Sequence, residues 1–246
     1  MRKGRHWRAL LVALSLCAAG PLAWSAPTPP VAKIGIIGTG HIGSALAKLW
    51  VRSGHRVLLS SRHPEQLQPL AAELGTRARV GTPREAAEFG DVVLVSVPYK
   101  ALPELGRELH EVLAGKIVLD TCNPYPERDG PMALEARQVG TGVASPRYLP
   151  GVRLVRAFNA IGFRELAQES RRRGPLAAIP LAGDDAAALA AAAQLVRDAG
   201  FEPVIVGGLE RAREFDFGTY PYTHLLTGAQ LRTALHLPAS QAAGGG

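Results

Sequence analysis

Cysteine is nearly missing from this chain of 246 residues, which holds only Cys17 and Cys122. Cys17 falls in an apolar leader, so loss of that leader leaves one thiol and excludes an internal disulfide. The body must then be held by its core, which a chain of this length can supply. Long apolar runs are also scarce. One runs from Ala9 to Ala19, after a basic start made by Arg2, Lys3, Arg5 and Arg8, and before Gly20, Pro21 and Ala23-Trp24-Ser25-Ala26. That order predicts a signal peptide over residues 1–26, cleaved after Ser25 or Ala26, with a linker over 27–32. The run is shorter than the roughly 20 residues of a spanning helix, although Leu22 to Trp24 extend it toward an uncleaved anchor. No stable membrane span is expected after cleavage, and the expected location is periplasmic or extracellular.

A basic field is lacking once the leader is set aside. The formal charge of +7 comes from 28 Lys plus Arg against 21 Asp plus Glu; removing the four leader cations leaves 24 against 21, or +3. No nucleic-acid partner is expected from such a balance. Arg171-Arg172-Arg173 runs straight into Gly174-Pro175 and reads as a solvated loop. His110, His224 and His236 show no metal-ligand spacing, and no metal site is expected.

What the body does contain is alternation. Apolar strand candidates run Lys33–Gly38, Arg56–Leu59, Val92–Val97, Lys116–Leu119, Val152–Ala157, Ala177–Ala182 and Pro203–Val206. Helix patterns lie between them at His41–Val51, Glu65–Glu73, Pro83–Glu88, Leu102–Leu113 and Asp185–Ala199, the last with an aspartate N-cap. The spacing predicts an α/β fold of the Rossmann type, a doubly wound, mostly parallel sheet with helices on both faces. The near-continuous Val and Ile content fits strands buried on two sides. The domain is expected over 33–206, a short helical extension over 207–237 and a flexible tail over 238–246.

The first strand breaks into Gly38-Thr39-Gly40-His41-Ile42-Gly43 and opens a helix. Each glycine has a task at a dinucleotide site. Gly38 allows the tight turn, Gly40 admits the pyrophosphate, and Gly43 lets the helix approach the sheet with its amide-rich end toward the phosphates. The end of the second strand lacks the Asp or Glu that an NAD site places there. It carries Ser60, Ser61, Arg62 and His63, with Glu65 further on. A hydroxyl and a guanidinium can hold a 2′-phosphate that a carboxylate would repel, so NADP is favoured. The other reading of Arg62 is a solvated strand cap, and His63 before Pro64 also reads as a turn residue.

Ligands of such sheets sit beyond the carboxyl ends of the strands. The segments Ser96-Val97-Pro98-Tyr99-Lys100, Asp120-Thr121-Cys122-Asn123-Pro124-Tyr125 and Ala157-Phe158-Asn159-Ala160-Ile161-Gly162 should therefore converge. Turn chemistry explains each Pro and Asn alone; their recurrence at one edge reads as a site. Taken in order with G-I-I-G-T-G-H-I-G, S-S-R and Gly207 to Arg213, these segments make the chain resemble the deazaflavin (coenzyme F420)-dependent NADP oxidoreductases. It is similar too to the related cofactor domain of six-transmembrane metalloreductases, over roughly Lys33 to Arg213. The resemblance implies that Thr39, Gly40, His41 and Ile42 carry the nucleotide, and that Ser61 and Arg62 meet its 2′-phosphate. It implies that Val97, Pro98 and Ala157 border the nicotinamide. It further implies hydride transfer between NADPH and a flavin-like, quinone or metal-bound small-molecule acceptor. The deazaflavin reductases work inside the cell, and the metalloreductases' transmembrane haem domain has no counterpart in this sequence. The acceptor is therefore not carried over from either.

Hydride transfer between stacked rings needs orientation and exclusion of water more than acid–base groups, so no catalytic residue is assigned. Asn159 reads either as orienting a carboxamide or acceptor or as a turn residue. Cys122 reads as an inert buried thiol, or as redox-active if it faces the cleft. Tyr99 and Lys100 are adjacent, which gives no Y-x-x-x-K pair. Two alternatives stand beside the reductase. Pyrroline carboxylate reductases and β-hydroxyacid dehydrogenases need a substantial helical domain, and only about forty residues follow Val206. A non-catalytic NADP sensor would use the fold to bind alone. The apolar His224–Leu237 segment is expected to form one helix, which covers the cleft or pairs two copies into a homodimer.

Overall fold

A computed structural model describes residues 31–239. The signal peptide, most of the linker and nearly all of the tail lie outside these residues. The chain forms strand β1 (Lys33–Ile37), helix α1 (His41–Arg52), β2 (Arg56–Ser60), α2 (Gln68–Leu74), β3 (Ala78–Gly81), α3 (Pro83–Phe89), β4 (Val92–Val95), α4 (Leu102–Leu113) and β5 (Ile117–Asp120). Three helices follow, α5 (Pro126–Asp129), α6 (Pro131–Val139) and α7 (Thr141–Tyr148). Then come β6 (Arg153–Arg156), α8 (Phe163–Glu169), β7 (Ala178–Gly183), α9 (Ala186–Asp198), β8 (Glu202–Gly207) and α10 (Gly228–Ala234).

The eight strands make one sheet in the order β3-β2-β1-β4-β5-β6-β7-β8. β1 to β6 run parallel, and β7 with β8 runs against them. The strand order reverses between β1 and β4, so the crossovers part there and leave a crevice at the carboxyl edge. Side chains alternate across the sheet. Ile34 and Ile36 of β1 join a core with Leu46 and Trp50 of α1 and Val196 of α9. Ile37, Val93 and Val95 point the other way, toward Ala86 of α3 and Leu102, Leu105 and Leu109 of α4. A smaller core joins Val204 and Val206 of β8 to Phe215, Leu231 and Leu235. Among the described residues no helix is long and apolar enough to cross a membrane.

The structure adds to the expected pattern in identifiable places. β3 is a half-buried edge strand, Ala78-Arg79-Val80-Gly81, with too little apolar content to be read as one. β7 and β8 reverse direction, a feature that apolar content does not encode. α5 to α8 arise just beyond the strand-end segments, in stretches to which the sequence pattern assigns no element. Gly130 and Gly140, at φ of 68° and 91°, start α6 and α7, and Pro146 lies inside α7. The C-terminal helix is shorter than His224–Leu237, because Thr227 and Gln230 form a reciprocal capping box that fixes its start. It packs on β7 and β8 and not over the crevice.

The centre of the sheet shows how tightly one helix lies. A Cβ on Gly35 would run into the backbone carbonyl of Ala86, so α3 can approach β1 only over a glycine. Gly35→Ala is expected to cost about 1–3 kcal/mol of overpacking strain. A urea unfolding midpoint equal to that of the unsubstituted protein would contradict this.

Candidate dinucleotide site

The crevice begins at the glycine turn. Gly38 takes φ of 95° and lies against the end of β4, where a Cβ would collide with the Ser96 carbonyl and Val97 Cγ1. Gly43, on the first turn of α1, is packed against the Gly38 carbonyl. Gly40 differs from both, since a Cβ there would meet no protein atom within 4 Å. The fold does not need a glycine at that position, and the space beside it stays clear. Gly40 caps α1 without a side-chain bond, and the first turn carries no acidic residue. The opening amides of such a helix have no intrahelical acceptor. An anion fits here: open space, free N–H groups and a positive helix end coincide.

The turn is locked to β2. Gly38 and Thr39 both donate backbone N–H bonds to the Ser60 carbonyl, at 3.1 and 3.0 Å. The Thr39 hydroxyl donates to that carbonyl at 3.1 Å and accepts from the Ser60 N–H at 3.1 Å. Thr39 is buried, so its side chain holds the turn and faces β2. Beyond Ser60 the Ser61 hydroxyl accepts from the His63 N–H at 3.0 Å. Arg62 is exposed, and no carboxylate among the described residues engages it. His63 instead meets Glu65 at 3.6 Å in solvent. His41, at the start of α1, stacks on Phe163 of α8 with ring centres 4.5 Å apart. That pair, with exposed Phe163, forms a rim that the sequence reading did not single out.

The strand ends expected to converge do so. Ser96 donates to Ile37 at 2.8 Å and Thr121 to Val95 at 3.1 Å, both backbone to backbone. Val97 and Pro98 keep partial exposure beside the turn, whereas Ala157 is fully buried and offers no side-chain surface. Asp129 accepts from the N–H groups of Lys100 and Tyr125, at 3.3 and 2.9 Å, and so joins the segments after β4 and β5. Tyr99 points into the core, near the Ser145 hydroxyl at 3.3 Å. Cys122 is buried, and burial followed by the neighbouring Asp120 carboxylate pushes its thiol well up, keeping it protonated and inert.

An unforeseen feature is Arg156. Its side chain has no exposure and lies 2.9 Å from Asp120 and 3.3 Å from Asp216. Nη1 also donates to the Asp120 and Cys122 carbonyls, at 3.1 and 2.9 Å. Burial works against the charge, and the two carboxylates more than reverse that effect, so the guanidinium stays charged. The available signal was a second arginine at the buried end of β6, Arg153-Leu154-Val155-Arg156. Around it, Asn123 donates to the Asn159 carbonyl at 2.8 Å, and Asn159 reaches Phe215 O and Asp216 Oδ1 at 3.4 and 3.5 Å. The Oδ1 atoms of both asparagines are buried without a donor. Tyr222, from the segment before α10, bonds to the Tyr125 hydroxyl, and Phe217 packs edge-on to both rings. It is this segment, and not the C-terminal helix, that closes the far side of the crevice.

Several known proteins are similar to this chain. Residues 33–124 match the family described as NADP oxidoreductase, coenzyme F420-dependent. The chain is 32% identical over 187 residues to metalloreductase STEAP3 of Rattus norvegicus, covering 75% of this chain but only 36% of that protein's length. It is 29% identical over 196 residues to the F420-dependent NADP reductase of Methanothermobacter marburgensis, covering 74% of this chain and 86% of the relative. A solved structure of a hypothetical protein from Sinorhizobium meliloti superposes with a TM-score of 0.67 at 25% identity, over 80% of this chain and 96% of that one.

The contrast among the glycines gives a clean test. Gly40→Val is expected to leave unfolding stability within about 1 kcal/mol, because the side chain enters open space at a helix cap. NADPH affinity should fall at least about tenfold, since the same side chain occupies the pyrophosphate's approach. Parallel thermal melts and fluorescence titrations check this, and unchanged affinity would remove the phosphate from this turn.

Proposed function

We propose that this chain, which carries over residues 33–124 the domain of the coenzyme F420-dependent NADP oxidoreductases, moves a hydride from NADPH to a small flavin-like, quinone or metal-bound acceptor. The relatives support an NADP-dependent oxidoreductase; the acceptor is our reading. One observation carries it. A clear, amide-lined helix end at Gly40 stands beside a strand end that holds a free arginine in place of a carboxylate.

NADPH, when bound, would supply two electrons and one proton as hydride; a flavin or quinone would take these with a second proton from solvent, whereas two ferric ions would take one electron each and leave the proton to solvent. The chain's own residues bind and orient. The amides of Gly40, His41 and Ile42 face the pyrophosphate, and Ser61 and Arg62 grip the 2′-phosphate through charge-assisted bonds. Val97 and Pro98 form an apolar wall that keeps water from the ring end. The unpaired Asn123 and Asn159 carbonyls suit the N–H groups of a carboxamide or of the acceptor. No side chain has to move a proton, which agrees with the inert settings of Cys122 and Tyr99.

Two measurements test the reading. The purified protein is expected to oxidise NADPH in the presence of a flavin, a quinone or a ferric chelate. Tight NADPH binding with no turnover across all three would leave a sensor in place of a reductase. Arg62→Ala should weaken NADPH about ten- to a hundredfold, the worth of a lost charge-assisted contact, and barely change NADH. Equal losses for both nucleotides would refute the 2′-phosphate assignment.

A further inference from the structure

We infer that Arg137 and Arg213 frame an anion pocket at the acceptor end of the crevice, which selects acceptors bearing a phosphate or carboxylate group. The inference rests on the reductase reading for the meaning of the pocket, and on its own geometry for the pocket's existence. A cavity of about 240 Å³ is lined by Pro124, Arg137, Thr141, Arg213, Asp216 and Phe217, among others. Pro124 directly follows Asn123 at the exit of β5. Phe217 belongs to the aromatic wall with Tyr125 and Tyr222. The cavity therefore adjoins the side of the crevice where an acceptor must stack.

Its two arginines lie exposed at the surface. Several arginines of this chain have a carboxylate partner, as Arg128 does in Asp129, Arg147 in Glu135, Arg153 in Asp185 and Arg211 in Glu214. Arg137 and Arg213 have none among the described residues. Arg137 lies with its guanidinium carbon 4.6 Å from the Phe217 ring centre, a contact that orients the group without neutralising it. The one carboxylate in the wall is already engaged. Asp216 accepts from the Thr141 N–H at 2.9 Å and from the Thr141 hydroxyl at 2.6 Å, and pairs with Arg156. The volume is ample for one compact anionic group.

Flavin mononucleotide and riboflavin share a ring and differ by one phosphate, so they separate anion recognition from ring recognition. Flavin fluorescence of the NADP⁺-loaded full chain should report at least about tenfold tighter binding of the mononucleotide than of riboflavin. Inorganic phosphate should compete with the mononucleotide alone. Arg137→Ala and Arg213→Ala should each shrink the ratio and together bring it near one, while Arg137→Lys and Arg213→Lys keep part of it. Equal affinities for the two flavins, no binding of either, or a ratio untouched by the double substitution would overturn the inference. Binding is read without turnover. A preserved ratio without NADPH oxidation would uphold the pocket and sink the reductase, and NADPH oxidation with no preference would do the reverse.

Discussion

Arg156 ties together three parts of the chain that are far apart in sequence. Its guanidinium reaches Asp120 at the end of β5 and Asp216 beyond β8, from its own place at the end of β6. A buried triad of this kind seldom adds net stability over a well-packed apolar replacement, because desolvation cancels much of the attraction. Its worth here is geometric. By donating to the Asp120 and Cys122 carbonyls it fixes the path by which the chain leaves β5. Asp216, held in turn, accepts from Thr141 and so sets where α7 begins. The floor of the acceptor end is thus built on one charge that has no access to water.

The two ends of the crevice are made differently. The nucleotide end is mostly backbone: a glycine turn locked by Thr39 to the Ser60 carbonyl, and a helix whose first amides are left free. Backbone recognition depends on conformation and tolerates many side chains around it. The acceptor end is made of side chains, chiefly Asn123, Tyr125, Asn159, Phe217 and Tyr222. On the proposed reading, small changes there would alter the acceptor and leave the nucleotide end as it is. One fold can in this way serve relatives that differ in acceptor while sharing a cofactor domain.

That division also decides what could be read from sequence. The central strands were legible because burial on both faces demands unbroken Val, Ile and Leu, as in Val92–Val95. Helix α4 was read to the residue, since its apolar positions Leu102, Leu105, Leu109 and Leu113 repeat at helical spacing. The glycine turn was legible because Gly38 and Gly43 meet steric demands of the fold, while Gly40 leaves space beside a helix end. The direction of β7 and β8 was not, for an apolar run looks the same when reversed. Nor were Arg156 and Asp216 paired, because their contact joins positions 60 residues apart and leaves no local pattern. Tyr222 was lost for the same reason: its partners, Asn123 and Tyr125, lie about a hundred positions away.

The orphaned Oδ1 atoms of Asn123 and Asn159 bear on where the fold accepts cost. A buried acceptor without a donor costs about 1–3 kcal/mol, and native chains carry few such atoms. Here two of them lie at neighbouring strand ends, beside Phe158 with its left-handed φ of 58°. Backbone strain and missing bonds tend to gather where a site is held ready for a ligand and not where the core is optimised. The central strands β1 and β4 follow the opposite rule, with their Val, Leu and Ile side chains packed to near-zero exposure. The edge proposed as the acceptor end is therefore where folding leaves buried acceptors unpaired.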